Sequence, residues 1–176
     1  SDLTKLAMVG EINFQTAMKK RLAILTPNSN DIAKVTTIIS ELISDSFKKN
    51  KELIKSMSNN IWIISGGFKD IIDPIVLEYN IPSSRVIANS FLYEEDSIIG
   101  CDENNDLFKD KGKIIAIEKL RIKNNKIIIG DGFTDYEVFL KGAADHFICY
   151  TENIKREKVA KLAEYQAKSF NDVVEI

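Results

Sequence analysis

The residues best suited to chemistry lie in Lys126-Ile-Ile-Ile-Gly130-Asp131-Gly132-Phe133-Thr134-Asp135, an apolar run that stops at a glycine-bracketed acid with a second acid four residues on. Ligands of an open parallel sheet bind outside the carboxyl ends of its strands, so an acid pair there is placed to hold a hard cation such as Mg²⁺. The same letters also read as a strand followed by a helix-capping aspartate. Three further segments bear on that choice. Ile61-Trp-Ile-Ile-Ser65-Gly66-Gly67-Phe68 is a second apolar strand ending in a hydroxyl and two glycines, ahead of a helical pattern through Ile71, Ile72, Ile75 and Val76. A serine with exposed backbone N–H groups at a helix start makes an anion cradle, because that end carries partial positive charge and unpaired donors. Asp110-Lys111-Gly112-Lys113 puts a cation at the mouth of another helix, and Asn13-Phe14-Gln-Thr-Ala-Met18-Lys-Lys-Arg21 contributes a guanidinium.

Elements must position these groups. Up to about Ile43 the apolar positions Leu22, Leu25, Ile32, Val35, Ile38, Ile39 and Leu42 recur at threes and fours, with Pro27-Asn28-Ser29 breaking the pattern. That spacing predicts two helices of an all-helical cap over residues 1–43. From residue 44 to 176 apolar strands alternate with helices, which predicts an α/β core with a parallel sheet covered on both faces. The expected strands are Ile61–Ser65, Arg85–Ala88, Ile127–Gly130, His146–Tyr150 and Ala167–Phe170. Phe91-Leu-Tyr93 and Ile98-Ile-Gly100 flank Glu94-Glu-Asp-Ser97 and read as a hairpin beside the sheet.

With 176 residues, 44% of them apolar, the chain can bury one sizeable core. A net charge of -2 leaves no electrostatic footprint for nucleic acid or an anionic membrane. Cys101 and Cys149 are far apart, fit no metal spacing and read as reduced packing residues. No apolar stretch approaches the ~20 residues that span a bilayer and no signal pattern opens the chain, so the expected location is the cytoplasm. The Gly-x4-Gly-Lys-Ser/Thr of a P-loop is absent, and Gly130-x-Gly132 lacks the third glycine of the dinucleotide fingerprint. Lys48-Lys-Asn-Lys51 reads as a solvated helix surface, and His146 as a strand residue.

The order Phe-x6-Arg, strand-Ser-Gly-Gly-Phe, Lys-Gly, strand-Gly-Asp-Gly-x-x-Asp resembles the phosphoserine phosphatase group of the haloacid dehalogenase superfamily, over nearly the whole chain. The resemblance implies a Rossmann-like three-layer α/β core with a small helical cap, and Mg²⁺-dependent hydrolysis of a small phosphomonoester through a phospho-aspartate. Ser65, with Gly66, matches the phosphate-binding second motif; Lys111 matches the third; Gly130-Asp131-Gly132 with Asp135 matches the fourth, Asp131 being the metal ligand. Asp135 would steady a metal-bound water or Lys111. Met8, Phe14 and Arg21 stand at the spacing of cap residues that cover the substrate and grip its carboxylate. A guanidinium fork suits that task because it meets a carboxylate in bidentate geometry.

The family's first motif, Asp-x-Asp-x-Thr, occurs nowhere in these residues. Its first aspartate is the nucleophile, so the chain as it stands is expected to be inactive. In the resembling fold that motif ends the central strand, and its loss would leave two rows of backbone groups unpaired, at about 1–3 kcal/mol for each buried orphan. A typical fold has only ~5–15 kcal/mol to spare. An upstream segment, a second polypeptide or a swapped strand is therefore expected to fill the slot. Two other functions remain open: a phosphatase or phosphotransferase of this fold acting on another small phosphate, and a non-catalytic partner that kept the fold and lost the nucleophile.

Overall fold

The computed structural model describes residues 14–176, and these divide into two compact units, one holding the described residues up to 41 with 62–110 and the other 42–61 with 111–176. This division differs from the expected boundary at residue 43. Helices α1 (Phe14–Leu25) and α2 (Ser29–Glu41) do form, with the break at Pro27 and Asn28 as the sequence predicts. Met18, Leu22 and Ile32 of these helices pack onto a cluster of Phe68, Phe91, Ile98, Cys101 and Phe108. Only this part of the apolar stripe is covered within the unit, for Leu25, Val35, Ile38 and Ile39 stay exposed.

In that first unit, β1 (Ile63–Phe68) and β2 (Val86–Asn89) pair in parallel and are joined through α5 (Lys69–Leu77). The helices between α2 and β1, α3 (Asp45–Lys49) and α4 (Lys51–Met57), belong to the second unit. The expected hairpin is present as β3 (Phe91–Glu94) and β4 (Ser97–Cys101), antiparallel, with Glu95 in the left-handed region at φ 52°. Phe68 stacks on Phe91 with ring centroids 3.7 Å apart, which fastens the hairpin to the end of β1.

The second unit holds a three-stranded parallel sheet, β5 (Ile127–Gly130), β6 (His146–Tyr150) and β7 (Tyr165–Ala167). Its helices are α3, α4, α6 (Gly112–Lys119), α7 (Phe133–Leu140), α8 (Glu157–Ala160) and α9 (Phe170–Glu175). The core gathers Phe147, Cys149, Val159 and Ala160, with Ile128, Tyr136 and Phe139 packed against it. Tyr136 sits edge-on to Phe147 at 5.6 Å, so α7 is keyed to β6 by an aromatic contact.

Four strands depart from expectation, β2 by a shift of one residue from Arg85–Ala88 to Val86–Asn89. The last ends at Ala167, because Ser169 and Asp172 form a capping box that starts α9 at Phe170 and takes that residue out of the sheet. β1 begins two residues late and runs on through Gly66 and Gly67 to Phe68 as a bulged strand. β5 carries the all-isoleucine signature of a strand buried on both faces, yet Ile127 and Ile129 are 55% and 43% exposed. Among the described residues β5 pairs with β6 alone and β1 with β2 alone, so each is an edge strand.

Candidate active site

In the first unit the candidate residues sit at the carboxyl end of β1. The register jumps from Ile64 opposite Ile87 to Phe68 opposite Asn89, so Ser65, Gly66 and Gly67 lie in an irregularity of the ladder. Such bulges re-aim side chains. The Gly67 N–H donates to Ser65 Oγ at 3.0 Å, and Asn89 Nδ2 donates to the Gly66 carbonyl at 2.9 Å. A Cβ on Gly67 would stand 3.2 Å from Ser65 Oγ and 3.4 Å from Ile72 Cδ1, so a small residue is favoured there, whereas one on Gly66 would meet nothing within 4 Å. The helix does not open at Ser65-Gly66, as the anion-cradle reading expected; α5 starts at Lys69 with Phe68 as its N-cap. The bulge keeps the glycines extended and delays the helix by two residues. Arg21 lies half-buried on α1 of this unit and Phe14 opens that helix, while Met8 lies outside the described residues.

In the second unit the acid pair is assembled at the end of β5. Asp131 leaves the strand just after Gly130, and its Oδ2 accepts from Arg156 Nε at 3.0 Å, with both side chains close to half exposed. Asp135 is only 8% exposed. Its Oδ2 accepts from the Gly132 N–H at 3.2 Å, the N-terminal cap of α7, and its Oδ1 is ion-paired to Lys113. The carboxyl fills the space beneath the turn so fully that a Cβ on Gly130 would lie 2.3 Å from Asp135 Cγ. Gly130 is therefore a requirement of close packing.

The resemblance named Lys111 as one partner for Asp135, and the structure gives it Lys113. Lys111 is exposed and precedes α6 in the left-handed conformation at φ 59°, whereas Lys113 lies in the first turn of α6, which packs on α7. Two cations that sequence reasoning passed over, Lys113 and Arg156, thus balance the two acids. Lys113 was in view within Lys111-Gly112-Lys113, but only the packing of α6 on α7 selects it. Cys149 pairs in register with Gly130. Burial pushes its thiol up and the charges of Asp131 and Asp135 add to this, so at neutral pH it stays a protonated packing residue. Thr134 is exposed in the first turn of α7, and His146 is the exposed first residue of β6.

Among the described residues no group of three or more His, Cys, Asp or Glu side chains gathers to hold a metal. A hard divalent cation takes about six or more oxygen ligands. Asp131 has the chemistry and exposure of one of them, and Asp135 is committed to Lys113 and Gly132. No described helix is long and apolar enough to cross a membrane.

No family model matches the chain. It is 28% identical over 178 residues to the chloroplastic phosphoserine phosphatase of Arabidopsis thaliana, covering 99% of this chain and 60% of that protein. It is 32% identical over 180 residues to the phosphoserine phosphatase of Drosophila melanogaster, covering 98% of this chain and 65% of that one. The chain thus spans less than two thirds of either relative. A crystal structure of a phosphoserine phosphohydrolase-like protein from Francisella tularensis superposes with a TM-score of 0.80 at 33% identity, covering 98% of this chain and 81% of that one. An α/β chain with a glycine-bracketed acid closing one parallel strand and Ser-Gly-Gly closing another, matched end to end in this way, belongs to the phosphoserine phosphatase-like group of the haloacid dehalogenase superfamily.

Proposed function

We propose that the chain is the phosphate-handling part of a Mg²⁺-dependent phosphomonoesterase whose substrate is phosphoserine. The observation that carries this reading is the turn at the end of β5, where Asp131 is presented at the strand exit while Asp135 is locked beneath Gly130 by Lys113 and the Gly132 N–H. A phosphate monoester dianion repels an attacking carboxylate, so hydrolysis needs positive charge and donors at the phosphoryl oxygens. Ser65 would donate its hydroxyl hydrogen and Gly66 its N–H, while Lys111, with no competing carboxylate among the described residues, would add a point charge. Asp135 would orient the turn that carries Asp131 and, with its charge balanced by Lys113, would not compete for that cation. Arg21 would grip the substrate carboxylate, the feature that separates phosphoserine from other small phosphates. Mg²⁺, when bound, supplies charge neutralisation at the phosphoryl group, and Asp131 would be its ligand from this chain. The nucleophilic carboxylate belongs to an Asp-x-Asp-x-Thr motif that these 176 residues do not carry, and it would come from a further segment or a second polypeptide.

Phosphate release from a panel of phosphomonoesters by the intact protein tests the proposal. Phosphoserine is expected to be hydrolysed with the highest kcat/KM, and only with Mg²⁺ present. Preferred turnover of a sugar or nucleotide phosphate would keep the chemistry and reassign the substrate. No turnover of any phosphomonoester would leave a non-catalytic protein of this fold.

A further inference from the structure

We propose that Asn89 is the positioning residue that aims the Ser65 hydroxyl, holding the bulged end of β1 so that the hydroxyl hydrogen is left to donate to a phosphoryl oxygen. The inference deepens the function proposed above and rests on Ser65 being a phosphate donor. β1 advances four residues from Ile64 to Phe68 while β2 advances two from Ile87 to Asn89, so two residues of β1 are in excess of the ladder. Their peptide groups cannot all find partners in the neighbouring strand, and a buried orphan carbonyl is unfavourable.

Asn89 supplies the missing donor. It is the last residue of β2, fully buried, and its Nδ2 donates to the Gly66 carbonyl at 2.9 Å. A peptide unit is planar and trans, so gripping the Gly66 C=O also fixes the direction of the Gly67 N–H, which belongs to the same plane. That N–H donates to Ser65 Oγ at 3.0 Å. A serine hydroxyl has one hydrogen and two lone pairs, and with one lone pair engaged by Gly67 the oxygen is held in place while its hydrogen stays available. The chain of contacts therefore runs from the Asn89 amide through one rigid peptide to the Ser65 hydroxyl.

A residue kept only for packing would not look like this. Asn89 follows Val86-Ile87-Ala88 in a buried strand, where an apolar side chain would fill the space without any polar group to satisfy. Instead the site holds an amide whose Oδ1 is buried with no hydrogen-bond partner among the described residues. The cost of that orphan oxygen is tolerated where the amide nitrogen has a task.

A double-mutant cycle in the intact protein tests this, using Ser65→Ala, Asn89→Ala and both together, with kcat/KM for phosphoserine and Kd for inorganic phosphate as parallel readouts. Ser65→Ala should lower kcat/KM by about 100-fold, the loss usual for one preorganised donor. Asn89→Ala should lower it by about 10-fold or more, yet by less than about 2-fold when Ser65 is already alanine, because its effect passes through that hydroxyl. The phosphate Kd should follow the same non-additive pattern. An equal fold loss from Asn89→Ala in both backgrounds would mean that the residue acts only on general stability, and would overturn the proposal. If Asn89→Ala does not fold, Asn89→Leu, which nearly keeps the side-chain shape and removes the donor, carries the same cycle with the same two outcomes. Ser65→Ala at wild-type activity and wild-type phosphate affinity would overturn the premise that Ser65 binds phosphate. Loss of phosphate affinity with no phosphoserine turnover in the wild type would overturn only the substrate reading, and the cycle in Kd would still decide the role of Asn89.

Discussion

Replacing Gly130 by alanine isolates the packing of the acid turn. The added methyl would lie 2.3 Å from Asp135 Cγ, 2.4 Å from its Oδ2 and 2.7 Å from its Cβ. Carbon atoms do not approach that closely, so Asp135 must move, and movement breaks both the cap to Gly132 N–H and the pair with Lys113. Overpacking of this kind costs about 1–3 kcal/mol. Separating a fully buried ion pair costs about 3–5 kcal/mol, but the side chains here keep 20% and 11% of their exposure, which reduces that share. Together they give a destabilisation of roughly 2–4 kcal/mol, a large fraction of a typical ~5–15 kcal/mol. Urea unfolding of the intact protein should show the midpoint falling by roughly 1 M or more at unchanged slope. Gly66→Ala is the control, since a Cβ there meets nothing within 4 Å, and it should stay within about 0.5 kcal/mol of wild type. The reasoning is refuted if Gly130→Ala is as stable as Gly66→Ala. It is refuted equally if Gly130→Ala costs the same in an Asp135→Gly background, where the carboxyl and the Cβ that it would strike are both gone.

Asp131→Asn should abolish Mg²⁺-dependent turnover while leaving the unfolding free energy within about 1 kcal/mol, because its pair with Arg156 is half exposed and such pairs are worth ~0–1 kcal/mol; full activity in this variant would mean that Asp131 is only a turn residue. Arg21→Ala should raise KM about tenfold or more for phosphoserine and leave phosphomonoesters lacking a carboxylate nearly unchanged, and an equal loss on both would give Arg21 a structural role. Burial, then the hydrogen bond from its hydroxyl to Asp70 and the Asp70 charge, push the Tyr93 phenol up to about 12. Since its folded value lies above the unfolded one, the native state holds that proton: the stability contribution is complete below about pH 10 and is lost as pH rises toward 12. A spectrophotometric titration of the folded protein should show a late-ionising tyrosine near pH 12 that is missing in Tyr93→Phe, and an unchanged late phase in that variant would contradict this assignment.

The strands the sequence shows best are short apolar runs with a sharp stop. β5 and β6 have the boundaries expected of them, Ile127–Gly130 and His146–Tyr150, because a glycine and an aspartate turn end the first and a continuous apolar core shapes the second. β1 was harder, since a bulge lets Gly66 and Gly67 remain in the strand where glycines ordinarily signal its end. The acids at the exit of β5 were legible because their chemistry and spacing are local. Their partners were not, for Lys113 and Arg156 are 22 and 25 residues away from the acids they meet. Asn89 was invisible for a different reason: a single polar residue at the end of an apolar strand looks like an ordinary stop until its amide is seen on the Gly66 carbonyl. Helical period says that a face of α1 or α2 is apolar and not what it will cover, so the packing of Met18, Leu22 and Ile32 was not legible in the sequence.

The two acids of the β5 turn differ in how firmly their cations hold them, and the difference fits the separate tasks proposed for them. Lys113 and Asp135 are largely removed from solvent, and the carboxylate has a backbone N–H as well, so releasing it would leave charge buried without compensation. Asp131 and Arg156 form a half-exposed pair that water and salt screen, worth at most about 1 kcal/mol. A carboxylate that must take up a metal cannot be locked into a strong native pair, because the metal would have to displace it. A carboxylate that must keep the turn in shape gains from being locked. The sequence places both acids within one turn of chain, and the burial of one beneath Gly130 with the exposure of the other at the strand exit would let the same residue type serve both of the proposed ends.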